Sequence, residues 1–155
     1  TLKFQHFEYL RQRVLEQAAA DTAKEFDGPP ERLHPLVLAY IGDAFFALYI
    51  RTRLLAYEQG RVRVIHSFSA KMVSAVTQAT ALRELEPELT ATELDVVRRG
   101  RNSKSTVPKS ASVADYRAST GFEALLGYLY LSADYDRLSE IANRAFAVIS
   151  REMTK

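Results

Sequence analysis

The chain has 155 residues, 47% of them hydrophobic, which suits one domain with a substantial core. It contains no cysteine, which excludes disulfides and Cys-ligated zinc and fits a reducing compartment. The net charge is only +2, but the charges are segregated: residues 51–71 hold Arg51, Arg53, Arg61, Arg63 and Lys71 against Glu58 alone, and residues 98–109 hold five basic residues and no acid. If these stretches share a face, that face would attract a polyanion.

Phe4, Phe7, Leu10, Val14 and Ala18 recur at helical spacing, which predicts an amphipathic N-terminal helix ending near Asp27-Gly28-Pro29-Pro30. Residues 1–33 read as a helical extension that docks late or moves, and residues 34–155 as the main body. Residues 35–57 form a helix opened by Pro35, apolar nearly all round and therefore expected at the centre of the fold. The competing reading is a strand over 36–41 turning at Gly42-Asp43 into a capped helix. Residues 65–85 read as one helix broken near Pro87. Thr90 and Glu93 make a capping box, and Gly100 fits the stop of the helix it opens. After a loop, Ser112 with Asp115 opens a long helix, and Leu138, Ile141, Ala142, Ala145 and Ile149 line one face of the last. The expected fold is an all-α bundle of six or seven helices plus the N-terminal extension.

Two acids stand out. Asp43 is the only charge in "VLAYIGDAFFALYI", with Ala39 and Ala47 one turn away on either side. Glu123 is the only charge between Ala118 and Ser132, with Ser119 and Gly127 one turn away and Thr120 beside them. A carboxylate buried without a partner costs several kcal/mol, on the order of 3–5. Each could be satisfied structurally, for example by Arg117 or Ser119, or lie on a half-exposed helix edge. Alternatively the pair converges on a hard cation such as Mg²⁺, which takes one or two carboxylates plus water and phosphate oxygens. His6, His34 and His66 are far apart in the sequence, and no Glu-x-x-His pair, glycine-rich phosphate loop or G-x-S-x-G elbow is present. No run reaches the roughly 18 uninterrupted apolar residues of a membrane span. The N-terminal segment has no signal-peptide core, so a cytoplasmic protein with no membrane partner is expected.

"LAYIGDAFFALYIR", followed some eighty residues later by "FEALLGYLYL", resembles the ribonuclease III catalytic domain. The tyrosine in "LAYIGDA" and the segment "RRGRNSKS" before "YRASTGFEALLGYLYL" are similar to the Mini-ribonuclease III branch, as is a chain with no room for a double-stranded-RNA-binding domain. The likeness spans roughly residues 34–150. Full-length family members carry further acids where this chain has Ala39 and Thr120, so the resemblance transfers two carboxylates, Asp43 and Glu123, as catalytic and metal-binding residues.

The resemblance implies a Mg²⁺-dependent endoribonuclease that cuts double-stranded RNA, leaving 5′-phosphate and 3′-hydroxyl ends. It implies a homodimer with Tyr40 at the interface, and Ala39, Ala47 and Gly127 leaving room around the site. The substrate expected for the branch is precursor large-subunit ribosomal RNA, presented with the help of a ribosomal protein. Arg98, Arg99, Arg101, Asn102, Lys104 and Lys109 are the expected RNA grip, with Lys71 and Arg117 as further contacts. The rival reading is a non-catalytic helical RNA-binding module in which both acids are structural; a protein–protein adaptor is a third.

Overall fold

The computed structural model describes residues 2–20, 24–103 and 105–155. Among these residues seven α-helices follow one another: α1 (Leu2–Ala19), α2 (Pro35–Leu54), α3 (Val62–Met72), α4 (Ala75–Leu85), α5 (Ala91–Arg101), α6 (Val113–Leu131) and α7 (Tyr135–Met153). Short 3₁₀ turns at Pro30–Arg32 and Glu86–Glu88 join them, and no strand occurs among the described residues. The strand reading of residues 36–41 is therefore wrong: α2 runs without interruption through Gly42 and Asp43.

The helix starts follow local chemistry. Pro35 occupies the first turn of α2, where its missing N–H costs nothing, and His34 caps it by accepting from the Leu36 N–H at 3.1 Å. Thr90 and Glu93 make the expected reciprocal capping box on α5, and the Ser112 hydroxyl accepts from Asp115 at the start of α6. The segment expected as one helix over 65–85 is two. The Ser74 hydroxyl accepts from Thr77 and starts α4 afresh, a capping signal inside the apolar periodicity. α1 forms but ends at Ala19, before Asp27, and Phe4, Phe7, Leu10 and Val14 all stay exposed.

The helix at the centre is α6, not α2. Ten of its residues are buried, and it packs against α2, α4, α5 and α7. Phe122 on α6 meets Phe46 on α2 edge to face at 5.2 Å, both fully buried. α2 buries Leu38, Phe46 and Ile50 but turns Val37, Tyr40 and Leu48 outward, so its all-round apolar sequence does not mean all-round burial. By length and composition α2 could cross a membrane; here it is a core helix laid on α6.

Two glycine crossings set the spacing around α6. A Cβ on Gly42 would lie 1.8 Å from the Glu123 carbonyl oxygen, and one on Gly127 would lie 1.8 Å from that of Leu38. The main chains of α2 and α6 thus touch directly. At the second crossing a Cβ on Gly100 would lie 2.8 Å from the Gly121 Cα, so α5 also packs closely, though less tightly than α2. Gly100 is accordingly no helix stop. α5 continues through it to Arg101, and the glycine is there for packing. Likewise Gly127 leaves no free room beside Glu123, because the α2 main chain fills it.

α7 is tied to the start of α5 by an ion pair between buried Glu93 and half-buried Arg137. Arg137 donates to both carboxylate oxygens of Glu93 at 2.8 Å and to the Glu88 carbonyl at 3.0 Å. The guanidinium holds the Glu93 carboxyl below the usual carboxylate range, outweighing the opposing effect of burial, and Arg137 is raised in turn.

Candidate active site

The Gly42–Gly127 crossing decides where the two singled-out acids go. Asp43 follows Gly42 directly on α2, and Glu123 lies one turn before Gly127 on α6. Main-chain contact at that point sets the Asp43 carboxyl close enough to act on that of Glu123. Their burial differs from the expectation of two acids sunk in apolar notches. Asp43 is exposed, because it lies on the outward face of α2 with Tyr40 and Ala44, whereas Glu123 is half-buried. Burial, together with the neighbouring Asp43 carboxyl, pushes the Glu123 carboxyl up to about 9, partly opposed by a hydrogen bond from Ser119. Two acids placed so closely disfavour both being charged at once unless a cation joins them.

The walls of the site are now specific. Ala39 is buried with Leu38, Val96 and Ala124 in a small apolar cluster. Thr120 is buried, its hydroxyl donating to the Tyr116 carbonyl at 3.1 Å. Among the described residues, no group of three or more His, Asp or Glu side chains is arranged to hold a metal. Two carboxylates on one open rim fit a hard divalent cation that completes its shell with water and phosphate oxygens.

The expected RNA contacts divide. Gly100 against Gly121 sets the basic end of α5 beside α6, two residues from Glu123 along the helix. Arg98 is exposed there and pairs with Asp95 at 2.5 Å. Arg99 donates to the Glu31 and Leu33 carbonyls at 3.1 and 3.3 Å, so it fastens the 30–33 turn to α5. Arg101 pairs with Glu86. Asn102, Lys109 and Arg117 are exposed, and Lys104 lies outside the described residues. Lys71 is exposed on α3, which packs on α2, α4 and α7 and belongs to a different side of the bundle from α5. Tyr40 is 76% exposed. The glycine crossings went unrecognised in the sequence. The available signal was a glycine adjoining or one turn from each acid.

Residues 36–134 match the ribonuclease III domain. The chain belongs to the ribonuclease III family. Within it, the chain is 52% identical to the Mini-ribonuclease 3 of Symbiobacterium thermophilum over 125 residues, covering 79% of this chain and 95% of that one. It is 43% identical to the Mini-ribonuclease 3 of Brevibacillus brevis, covering 83% of this chain and 97% of that one. A crystal structure of a Fusobacterium nucleatum protein superposes with a TM-score of 0.69 at 27% identity, covering 78% of this chain and 95% of that one. The ribonuclease III assignment makes the protein an endoribonuclease of double-stranded RNA, from a family of divalent-metal-dependent nucleases. The expected Mini-ribonuclease III resemblance and all-α fold are both borne out. Residues 1–33 lie outside the matched ribonuclease III domain.

Proposed function

We propose that Asp43 and Glu123 form a Mg²⁺-dependent phosphodiesterase site that trims base-paired ends of precursor large-subunit ribosomal RNA. The observation that carries the site is the meeting of these two carboxyls at the Gly42–Gly127 crossing, where Glu123 is disfavoured as an isolated anion. When bound there, Mg²⁺ supplies Lewis-acid activation of the phosphate and of water near neutral pH. Asp43, on the exposed rim, holds the cation where a phosphate can reach it, and Glu123 holds it from the half-buried side. Strand scission leaves 5′-phosphate and 3′-hydroxyl ends.

The exposed cations beside α6 support a grip on the A-form backbone, which proteins engage mainly through phosphates and 2′-hydroxyls. Arg98, Asn102, Lys109 and Arg117 are the exposed contacts, and Lys104 lies between Asn102 and Lys109 in the sequence. Lys71 reaches a more distant part of a duplex. Arg99 and Arg101 set the end of α5 in place and add charge to it. Each site cuts one strand, so the reading includes a two-fold homodimer matched to the approximate two-fold symmetry of duplex RNA. The outward face of α2, with Tyr40 beside a cavity of about 290 Å³ lined by Ile41, Ala44, Phe45, Leu48 and Tyr130, supports that seam. The protein works in the cytoplasm, and a ribosomal protein on the precursor helps present the cleavage site.

The test is cleavage of a duplex RNA in Mg²⁺ by the wild type, Asp43→Asn and Glu123→Gln. Both variants should cut at least about 100-fold more slowly, the loss expected when groups stabilising transition-state charge are removed. Their circular dichroism should be unchanged. Full activity in Asp43→Asn overturns the assignment.

A further inference from the structure

Ser119 and Thr120 are adjacent on α6, and each is only 6% exposed, yet their hydroxyls do different things. Thr120 makes the bond a helical hydroxyl ordinarily makes, back to the carbonyl one turn earlier, at Tyr116. Ser119 instead points forward one turn and donates to Oε1 of Glu123 at 3.4 Å. We propose that Ser119 is a positioning residue: its buried hydroxyl fixes the rotamer of Glu123 so that the free carboxylate edge faces the cation shared with Asp43. The inference rests on the metal site proposed above and adds the residue that aims one of its two ligands.

Glu123 needs such a partner more than Asp43 does. Its side chain has one more rotatable bond, and of its other neighbours one turn away on α6, Thr120 commits its hydroxyl to the Tyr116 carbonyl while Leu126 and Gly127 carry no side-chain donor. The contact is long for an O–H···O bond, so it steers the carboxylate and leaves its charge for the metal. A hydroxyl suits this task because it adds no third anion to a site that already holds two acids. Outer partners of metal ligands act in this way, fixing orientation without touching the ion.

The experiment is Mg²⁺ binding by isothermal titration, without RNA, for the wild type, Ser119→Ala, Ser119→Thr and Asp43→Asn, each checked by thermal melting. Ser119→Ala should weaken Mg²⁺ binding by about tenfold, the low end for losing an outer partner of a ligand. In cleavage assays it should raise the Mg²⁺ concentration for half-maximal rate in step, with the KM for RNA unchanged. Ser119→Thr keeps the hydroxyl and should retain wild-type Mg²⁺ affinity. If Ser119→Ala binds Mg²⁺ like wild type while Asp43→Asn does not bind it, the Ser119 role is wrong and the metal site stands. If Asp43→Asn also binds like wild type, the metal site itself is wrong. Equal loss in Ser119→Ala and Ser119→Thr makes packing the cause and overturns the proposal.

Discussion

Glu123 links acid–base behaviour to metal binding. Its carboxyl is raised from 4.5 to about 9 by burial and by Asp43, so between those values the folded protein holds a proton that the unfolded chain releases. Stability falls with pH wherever the folded state binds more protons than the unfolded one. Metal-free protein should therefore lose stability as pH rises from about 4.5 toward 9, and Glu123→Gln, neutral throughout, should be spared. The difference in favour of the variant should grow by up to about 1.4 kcal/mol per pH unit across this range, shrinking toward zero near pH 5. Thermal melts in a chelator at several pH values measure it, and a difference that does not change with pH refutes the coupling. Glu93 acts in the opposite sense. Its lowered carboxyl contributes stability at and above the ordinary carboxylate range, and this is lost only in stronger acid. Both candidate acids were legible in the sequence because a lone charge in a long apolar helix is costly and rarely accidental. The exposure of Asp43 was not legible. Apolar neighbours in the chain say nothing about which side of a helix meets another helix, and the outward face of α2 carries Val37, Tyr40 and Leu48 beside Asp43.

At the scale of elements, the α2–α6 crossing is the least tolerant feature. Gly42→Ala or Gly127→Ala would drive a methyl group to 1.8 Å from a carbonyl oxygen on the facing helix, a contact that only separation of the helices relieves. Each should destabilise the fold by about 3 kcal/mol or more, read by urea unfolding, and should weaken Mg²⁺ binding by moving the acids apart. Equal stability of Gly42→Ala and wild type would contradict direct main-chain contact. Helix caps were readable because a cap is local: Thr90 with Glu93 and Ser112 with Asp115 lie within one turn. The glycine contacts were not, because the partner of each glycine is main chain on a helix about eighty or twenty residues away in sequence. A glycine near the end of a periodic segment looks like a stop, as Gly100 does, until the facing helix is known. The break at Ser74 was missed for a related reason: the apolar period continues across it while the main chain turns.

For the whole molecule, exposed apolar surface on α2 bears on assembly. Tyr40 is 76% exposed one turn from Ala44, which lines an apolar cavity with Leu48, and a contiguous exposed apolar patch is a mark of an interaction surface. Tyr40→Ala should shift the protein toward monomer in sedimentation velocity and reduce paired cuts in a duplex to single-strand nicks, with Mg²⁺ binding by the isolated chain unchanged. A dimer that persists with wild-type stability places the seam elsewhere. The all-α architecture was legible because every long segment carries helical periodicity and the order of the motifs is specific. Which helix sits in the middle was not. α2 is as rich in apolar side chains as α6, and only the helices packed around each of them tell the two apart.

The direct contact of α2 with α6 leaves no side chain between the main chains that carry Asp43 and Glu123. The gauge of the site is therefore built from peptide units, whose dimensions do not vary with sequence. Substitutions elsewhere in the core can make the protein more or less resistant to heat, but they have no spacer to lengthen or shorten.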